Sequence, residues 1–304
     1  MTTRRTPRAA LKAVAHDGVL SRAELRRHGW DRDAVARQVR ADRWSCHGTQ
    51  TVALHTSHLG EEAGRWRAIW EVGTRVAALD GVTALQAAGL VGFEDDRVHV
   101  SVKHTATVTE VSGVRVHKVI RRSAGELVGG GIPRTTPAVA AVRAAHWAVS
   151  DRQAALLMVM PVQQRLITGH QLVAATRRVR GRTRRRFIRL VAHDIADGAQ
   201  SLGELDFATL CRSRGLPEPS RQVVVRGPKG RVYLDVRWDD ADLVVEIDGA
   251  QHTWGLASTD DQFRQNDVVI RGDRVLRMTL LGLRLAPDAF MDQVCQAYAL
   301  FRRR

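Results

Sequence analysis

Lysine, cysteine and long apolar runs are what this sequence has least of. Four of the 47 Lys+Arg residues are lysine, and only three of the 304 residues are cysteine. Cys46, Cys211 and Cys295 lie far apart and are odd in number, which excludes a disulfide framework or a cysteine zinc site and sets a reducing cytoplasm as the expected compartment. No stretch approaches the roughly 18 uncharged apolar residues that a membrane-spanning helix needs, so no membrane partner is expected. The N-terminal segment Met1–Arg8 is basic and lacks the apolar stretch of a secretory signal. Acidic residues are short as well: 32 Asp+Glu leave a net charge of +15. An apolar fraction of 44% with 26% charged residues excludes wholesale disorder. At roughly 100–200 residues per domain, the length predicts two or three domains.

The charge is unevenly spread. Residues 1–56 carry 11 basic and 5 acidic side chains, and residues 57–190 carry 21 and 10. Residues 191–304 reverse the balance, with 15 basic and 17 acidic. The first two thirds therefore attract a polyanion, and nucleic acid, double-stranded DNA in particular, is the expected partner. The acid-rich last third must do something else.

Near the N-terminus, Leu11, Val14 and Ala15 have helical spacing. Ser21 followed by Glu24 is a capping-box pattern that opens a second helix, and Gly29 suits its end. Asp31 caps a third helix, about 34–43, with Val35 and Val39 inward and Arg32, Arg37 and Arg40 outward. A β-prone piece, 49–54, follows. Three short helices and then a strand pair is the pattern of a winged helix-turn-helix, in which the third helix enters a major groove; a small helical bundle with a basic face fits the same spacing. The text Gly18-Val-Leu-Ser21-Arg-Ala-Glu-Leu25, the Gly29 turn and Arg40-Ala-Asp-Arg-Trp44 resemble the winged-helix domain of AbiEi-type antitoxins of type IV toxin–antitoxin systems. Gly48-Thr-Gln50 stands where that family usually has Gly-Val-Tyr at the wing.

In the middle, Trp66 to Ala88 reads as helices, and 97–103 and 114–119 alternate like a strand pair around a Thr105–Gly113 turn. Gly129–Pro133 reads as a plain loop, since no Lys-Ser/Thr follows to make a phosphate cradle. Ala138–Ala148 and Asp151–Met158 read as apolar core helices. His99, His104, His117 and His146 lack the spacing of a metal site and read as surface or satisfied core residues. One stretch stands out: Arg177, Arg178, Arg180, Arg182, Arg184, Arg185, Arg186 and Arg189 put eight arginines into 13 residues. Such density repels itself unless a polyanion or counterions are near, which points to contact with a phosphate backbone.

In the last third, 201–215 reads as an amphipathic helix. Residues 222–225 and 231–238 flank Gly227-Pro-Lys-Gly230 as a hairpin, and 243–249 is an apolar strand interrupted by Glu246 and Asp248. A helix at about 260–271, a strand 274–280 and a helix 288–301 complete the order α-β-β-β-α-β-α. Glu246 and Asp248, two apart on one strand, share a face, and Asp235 on the preceding strand can fall beside them. Like charges placed together call for a compensating cation or proton, and an all-oxygen site suits Mg²⁺ or Mn²⁺.

Leu234-Asp-Val-Arg-Trp238, Leu243-Val-Val-Glu-Ile-Asp-Gly-Ala-Gln-His252, Asp261…Arg264…Asn266-Asp267 and Gly272-Asp-Arg-Val-Leu-Arg277 resemble a domain family related to very-short-patch-repair endonucleases, within the PD-(D/E)xK restriction-endonuclease-like superfamily. That resemblance implies a metal site of Asp235 and Glu246, with the carbonyl of Ile247 helping and Glu204 supporting the metal or its water. Asp248 stands where the superfamily has its lysine, Gln251 or His252 is placed to orient water or protonate the leaving oxygen, and Arg264 to supply the missing charge. The expected architecture is α/β: a winged helix-turn-helix (1–56), an α+β middle with an arginine-rich end (57–190) and a C-terminal restriction-endonuclease-like α-β-β-β-α-β core (191–304). Arg32, Arg37, Arg40, Arg43, Arg177, Arg178, Arg180, Arg182, Arg184, Arg185, Arg186 and Arg264 are the expected nucleic-acid contacts. The expected activity is Mg²⁺- or Mn²⁺-dependent cleavage of DNA, with a homodimer needed for a cut through both strands. The alternative is a DNA-binding regulator of the type IV antitoxin class that keeps the nuclease fold as a scaffold.

Overall fold

A computed structural model of the chain describes residues 5–197, 207–226, 232–248, 266 and 274–302. They are α/β in class, with three small sheets. The chain divides into two compact units, 1–140 and 141–304, so the boundary falls inside the segment 57–190.

The first unit opens with α1 (Arg8–Val14), β1 (Val19–Ser21), α2 (Arg22–Arg27), α3 (Arg32–Arg40), β2 (Ser45–Cys46) and β3 (Thr51–Ala53). Ser21 Oγ accepts from the Glu24 amide at 3.2 Å while the Glu24 carboxylate accepts from the Ser21 amide at 2.8 Å. This closed capping box fixes where α2 begins, and such caps are worth about 1 kcal/mol. Asp31 does the same for α3, its Oδ1 accepting from the Ala34 amide at 2.7 Å. β3 runs antiparallel between β1 and β2. Leu11, Leu20, Leu25, Trp30, Val35, Trp44 and Val52 form the core beneath these elements.

The unit continues through α4 (Glu61–Val72), β4 (Ala78–Leu79), α5 (Gly81–Gln86), β5 (Val98–Lys103) and β6 (Val114–Val119). Both alternating segments are strands and they do pair, but in parallel, not as the two arms of a hairpin around 105–113. The His104 amide bonds the Val119 carbonyl at 2.8 Å and the Val98 amide bonds the Gly113 carbonyl at 2.9 Å, so the connection carries the chain back along β5 before β6 starts. A period of two specifies a strand and says nothing of its direction; the connection decides that.

α6 (Pro137–Trp147) crosses the boundary, and the second unit continues with α7 (Asp151–Gln163), α8 (Gly169–Arg178), α9 (Arg185–Ala196) and α10 (Phe207–Ser213). Then come β7 (Arg221–Arg226), β8 (Val232–Trp238), β9 (Leu243–Asp248), β10 (Val275–Thr279), α11 (Leu280–Leu285) and α12 (Pro287–Phe301). The sheet order is β10-β9-β8-β7, with β7, β8 and β9 antiparallel and β10 parallel to β9. Leu234, Val236, Trp238, Leu243, Val245, Ile247, Leu276 and Met278 all point to one face and are buried against Phe207, Leu280, Leu283, Phe290 and Val294 of α10, α11 and α12. Strict alternation leaves Asp235, Arg237, Val244, Glu246 and Asp248 half-buried on the other face. The strand expected to end at 280 stops at Thr279, whose Oγ1 accepts from the Gly282 amide at 3.0 Å and starts α11, a helix the sequence reading did not include. Glu204, the 227–230 turn, Gln251, His252, Arg264 and the helix expected at 260–271, Asn266 apart, lie outside the described residues.

Candidate active site and nucleic-acid surface

The site is built by register. β8 and β9 pair Asp235 directly with Glu246, Leu234 with Ile247 and Tyr233 with Asp248. On the far side of β9, Arg277 of β10 is the partner of Glu246 and Thr279 that of Asp248. One row therefore runs Asp235, Glu246, Arg277 across three adjacent strands on the half-exposed face. Directly opposed side chains have Cβ atoms about 4.5–5.5 Å apart, so the two carboxylates are immediate neighbours. Arg277 Nε donates to Glu246 Oε2 at 3.0 Å, with the arginine side chain 53% exposed and the glutamate 22%. Among the described residues the Asp235 carboxylate makes no hydrogen bond or ion pair.

A second feature fixes this row at the strand edge. Asn266 is buried, and its side chain brackets the backbone of Arg277: Oδ1 accepts from the Arg277 amide at 2.9 Å and Nδ2 donates to its carbonyl at 3.1 Å. Nδ2 also reaches Gln293 Oε1 on α12 at 3.2 Å. The amide side chain thus does for β10 what a further strand would do.

Two carboxylates on adjacent strands, open to solvent on one face, suit a hard cation that keeps much of its water shell, as Mg²⁺ and Mn²⁺ do. Among the described residues no group of three or more His, Cys, Asp or Glu is gathered tightly enough to enclose a metal, so the donor set at this face is the pair, with Asp248 next along β9. Ile247 turns its side chain into the core, which leaves only its backbone available at the site.

The arginines of the second unit are displayed on its surface. Arg177, Arg178, Arg180, Arg182, Arg185, Arg186 and Arg189 are exposed at the end of α8, in the connection and at the start of α9. Arg184 is spent internally, with Nε on Asp151 Oδ1 at 2.6 Å and Nη1 on the Ala148 carbonyl at 2.8 Å. His146 Nδ1 lies 2.5 Å from the Thr183 carbonyl, and a Cβ at Gly181 would meet the His146 ring at 2.4 Å. The loop between α8 and α9 is therefore pinned to α6 and α7 from inside while its arginines stay outside. No acidic residue stands in the first turn of α9, so helix dipole and guanidinium charges reinforce one another there.

In the first unit, Arg32, Arg37 and Arg40 share one exposed face of α3, and Arg43 lies exposed just beyond it. Between α2 and α3 is a cleft of about 390 Å³ lined by Arg22, Arg26, Trp30, Asp31 and Arg32. Helical spacing alone did not single out Arg22 and Arg26, because only the turn between the helices brings them to α3.

The loop joining β2 to β3 is held by Glu71 of α4. Its carboxylate accepts from the amides of Thr49, Gln50 and Thr51 at 2.8, 2.9 and 2.9 Å and from both threonine hydroxyls at 3.0 and 2.7 Å. Burial pushes the Glu71 carboxyl up, but the hydrogen bonds from Thr51, Gln50 and Thr49 outweigh it and hold the group below the usual carboxylate range. Gly48 is required here: its φ is 128°, and a Cβ would sit 2.4 Å from the Glu71 carboxyl. Three successive amides that could cradle a phosphate are thus occupied by a side chain of the same unit. Glu71→Ala strands these donors, but three of the five bonds are exposed and water replaces them, so a net loss of about 2–3 kcal/mol and a melting temperature of the first unit roughly 5–10 °C lower are expected. Differential scanning calorimetry checks this; an unchanged melting temperature would mean that the loop is held by other contacts.

The parallel pairing of β5 and β6 also joins two histidines that the sequence leaves apart. His117 Nε2 lies 3.2 Å from His99 Nδ1, and His99 Nε2 lies 3.3 Å from Asp95. Burial lowers His117 to about 3, helped by His99 and Arg115, and burial lowers His99 against the opposing pull of Asp95. Both rings are neutral when folded, whereas unfolded histidine takes a proton near pH 6.5. Stability from the neutral rings is therefore full above about pH 6.5 and is lost as pH falls, for His117 down to about 3 at up to about 1.4 kcal/mol per pH unit, with His99 acting in the same direction. Thermal midpoints measured between pH 7 and 4 are expected to fall more steeply for the wild type than for His117→Gln. Parallel curves would place the acid sensitivity elsewhere.

A scan against protein-family models and a search of curated proteins find no match for this chain.

Proposed function

We propose that this chain is a metal-dependent DNA endonuclease. The N-terminal part of its first unit, residues 1–56, is a winged helix-turn-helix module, and the sheet of its second unit is a restriction-endonuclease-like catalytic core. The observation that carries the reading is the direct pairing of Asp235 with Glu246 on the half-exposed face of that sheet. A scaffold has no need to oppose two carboxylates there, since like charges directly across strands are destabilising. The order α1-β1-α2-α3-β2-β3, with β3 between its neighbours and three arginines on the outer face of α3, supports the DNA-reading module. The exposed arginines between α8 and α9 supply phosphate contacts.

In this reading Asp235 and Glu246 hold the divalent cation, which when bound lowers the pKa of a water and offsets charge on the phosphodiester. The core face behind them, Leu234, Val245 and Ile247, fixes both strands and so fixes the spacing of the two ligands. The arginines orient the backbone. Asp248 gives this face a further negative charge, so the cation that balances the phosphate must come from another element.

The second reading, a DNA-binding regulator, is favoured by one observation: the Arg277 guanidinium already compensates Glu246 without a metal. Incubating supercoiled plasmid with the full chain separates the two. Nicking that requires Mg²⁺ or Mn²⁺ and stops on chelation supports the nuclease. Tight, salt-sensitive binding with no nicking of plain, mismatched or modified DNA would replace it with the regulator.

A further inference from the structure

Resting on that reading, we propose that Arg277 is the cation of the site: it holds Glu246 in the metal-free protein and, once Glu246 turns to a divalent cation, carries its charge to the phosphodiester. Three observations converge on this residue. It is the register partner of Glu246, and its Nε is 3.0 Å from Glu246 Oε2. Its side chain is 53% exposed, so the guanidinium is free to leave the carboxylate for another anion on the same open face. Its backbone, by contrast, is clamped by buried Asn266 at both N–H and C=O. A long side chain that can redirect, on a peptide that cannot move, is the design of a charged group that must stay near one spot while changing partner.

The chemistry of the row calls for such a group. Asp235, Glu246 and Asp248 place three acids on one sheet face, and a phosphodiester brings another negative charge to it. Arg264, the expected source of compensation, lies outside the described residues, whereas Arg277 stands in the row itself. An ordinary cross-strand ion pair is the competing explanation; exposed pairs of that kind contribute little to stability and would leave chemistry unaffected.

The two explanations part on cleavage: under both, losing the guanidinium leaves Glu246 freer for a metal, but only the proposal makes the guanidinium necessary for nicking. If Arg277 competes with a metal for Glu246, Arg277→Gln in the full chain is expected to bind Mn²⁺ about two- to fivefold more tightly, measured by the spin resonance of free Mn²⁺. Its nicking rate should fall by about a hundredfold or more, the usual loss when one donor to a developing anion is removed. Arg277→Lys, which keeps the charge but not the fork, is expected to recover cleavage to within about tenfold of wild type. Unchanged or weaker Mn²⁺ binding in Arg277→Gln would mean that Arg277 does not hold Glu246 away from a metal and would overturn the proposal. So would wild-type nicking by Arg277→Gln. The endonuclease reading fails separately, when wild type binds no Mn²⁺ that Asp235→Asn or Glu246→Gln removes; in that case both ideas fall.

Discussion

Asp235→Asn is expected to abolish nicking, by at least about a thousandfold, while DNA affinity stays within about twofold of wild type. The substitution is nearly isosteric, and Asp235 is half-buried on the face away from the apolar core, so the sheet has no packing reason to change. Its neighbours Leu234 and Val236 keep β8 seated. What changes is charge. With the carboxylate gone from β8, Glu246 is the one acid left in the row, and Arg277 already holds it. Mn²⁺ affinity should therefore fall together with cleavage. Glu246→Gln should do the same and in addition release Arg277, so its DNA affinity is expected to rise slightly at low salt. A plasmid nicking assay alongside filter binding in chelator reads both quantities. Full cleavage by well-folded Asp235→Asn would remove the opposed carboxylates from the chemistry and, with them, the reason for reading this sheet as catalytic.

The elements around this site were largely legible in the chain. Leu243, Val245 and Ile247 alternate with Val244, Glu246 and Asp248, and one period of two told both that β9 is a strand and that its acids share a face. The Ser21–Glu24 and Asp31–Ala34 caps are local, so the sequence located α2 and α3 to within a few residues. What it could not locate was tertiary pairing. Arg277 was one letter in a motif until β10 was laid parallel to β9, because the parallel partner of a strand is set by a long crossover and leaves no local mark. The same reason hid the His99–His117 contact, which needs β5 and β6 side by side in parallel. Glu71 escaped for a different cause: a glutamate in a helix reads as solvated charge, and only the loop arriving from 20 residues earlier turns it into an acceptor of five hydrogen bonds.

Replacing Arg180, Arg182, Arg185 and Arg186 together by alanine is expected to weaken DNA binding by at least about a hundredfold near physiological salt. Each arginine that neutralises a phosphate adds about 0.9 to the slope of log affinity against log salt, so a variant losing four such contacts should show a slope smaller by about 3 to 4. The position of these side chains makes the test clean. All four are exposed, and the loop and helix start that carry them are secured by other residues: Arg184 on Asp151 and Ala148, His146 against Thr183, and Ile188 in the core. Removing them should even relieve repulsion at the N-terminus of α9, raising the melting temperature slightly, so lost binding cannot be put down to lost folding. Arg184→Ala is the contrasting variant, expected to lower stability first through the Asp151 pair. A quadruple variant that binds DNA with unchanged affinity and slope would make this belt a solvated surface and leave α3, with Arg32, Arg37 and Arg40, to carry the phosphate contacts alone. In the proposed reading the two surfaces also differ in what they would read: α3 would enter a groove and discriminate bases, whereas a loop of arginines would meet phosphates of any sequence. Loss of the belt should accordingly lower affinity for all duplexes alike, and substitutions on α3 should change the ratio between them.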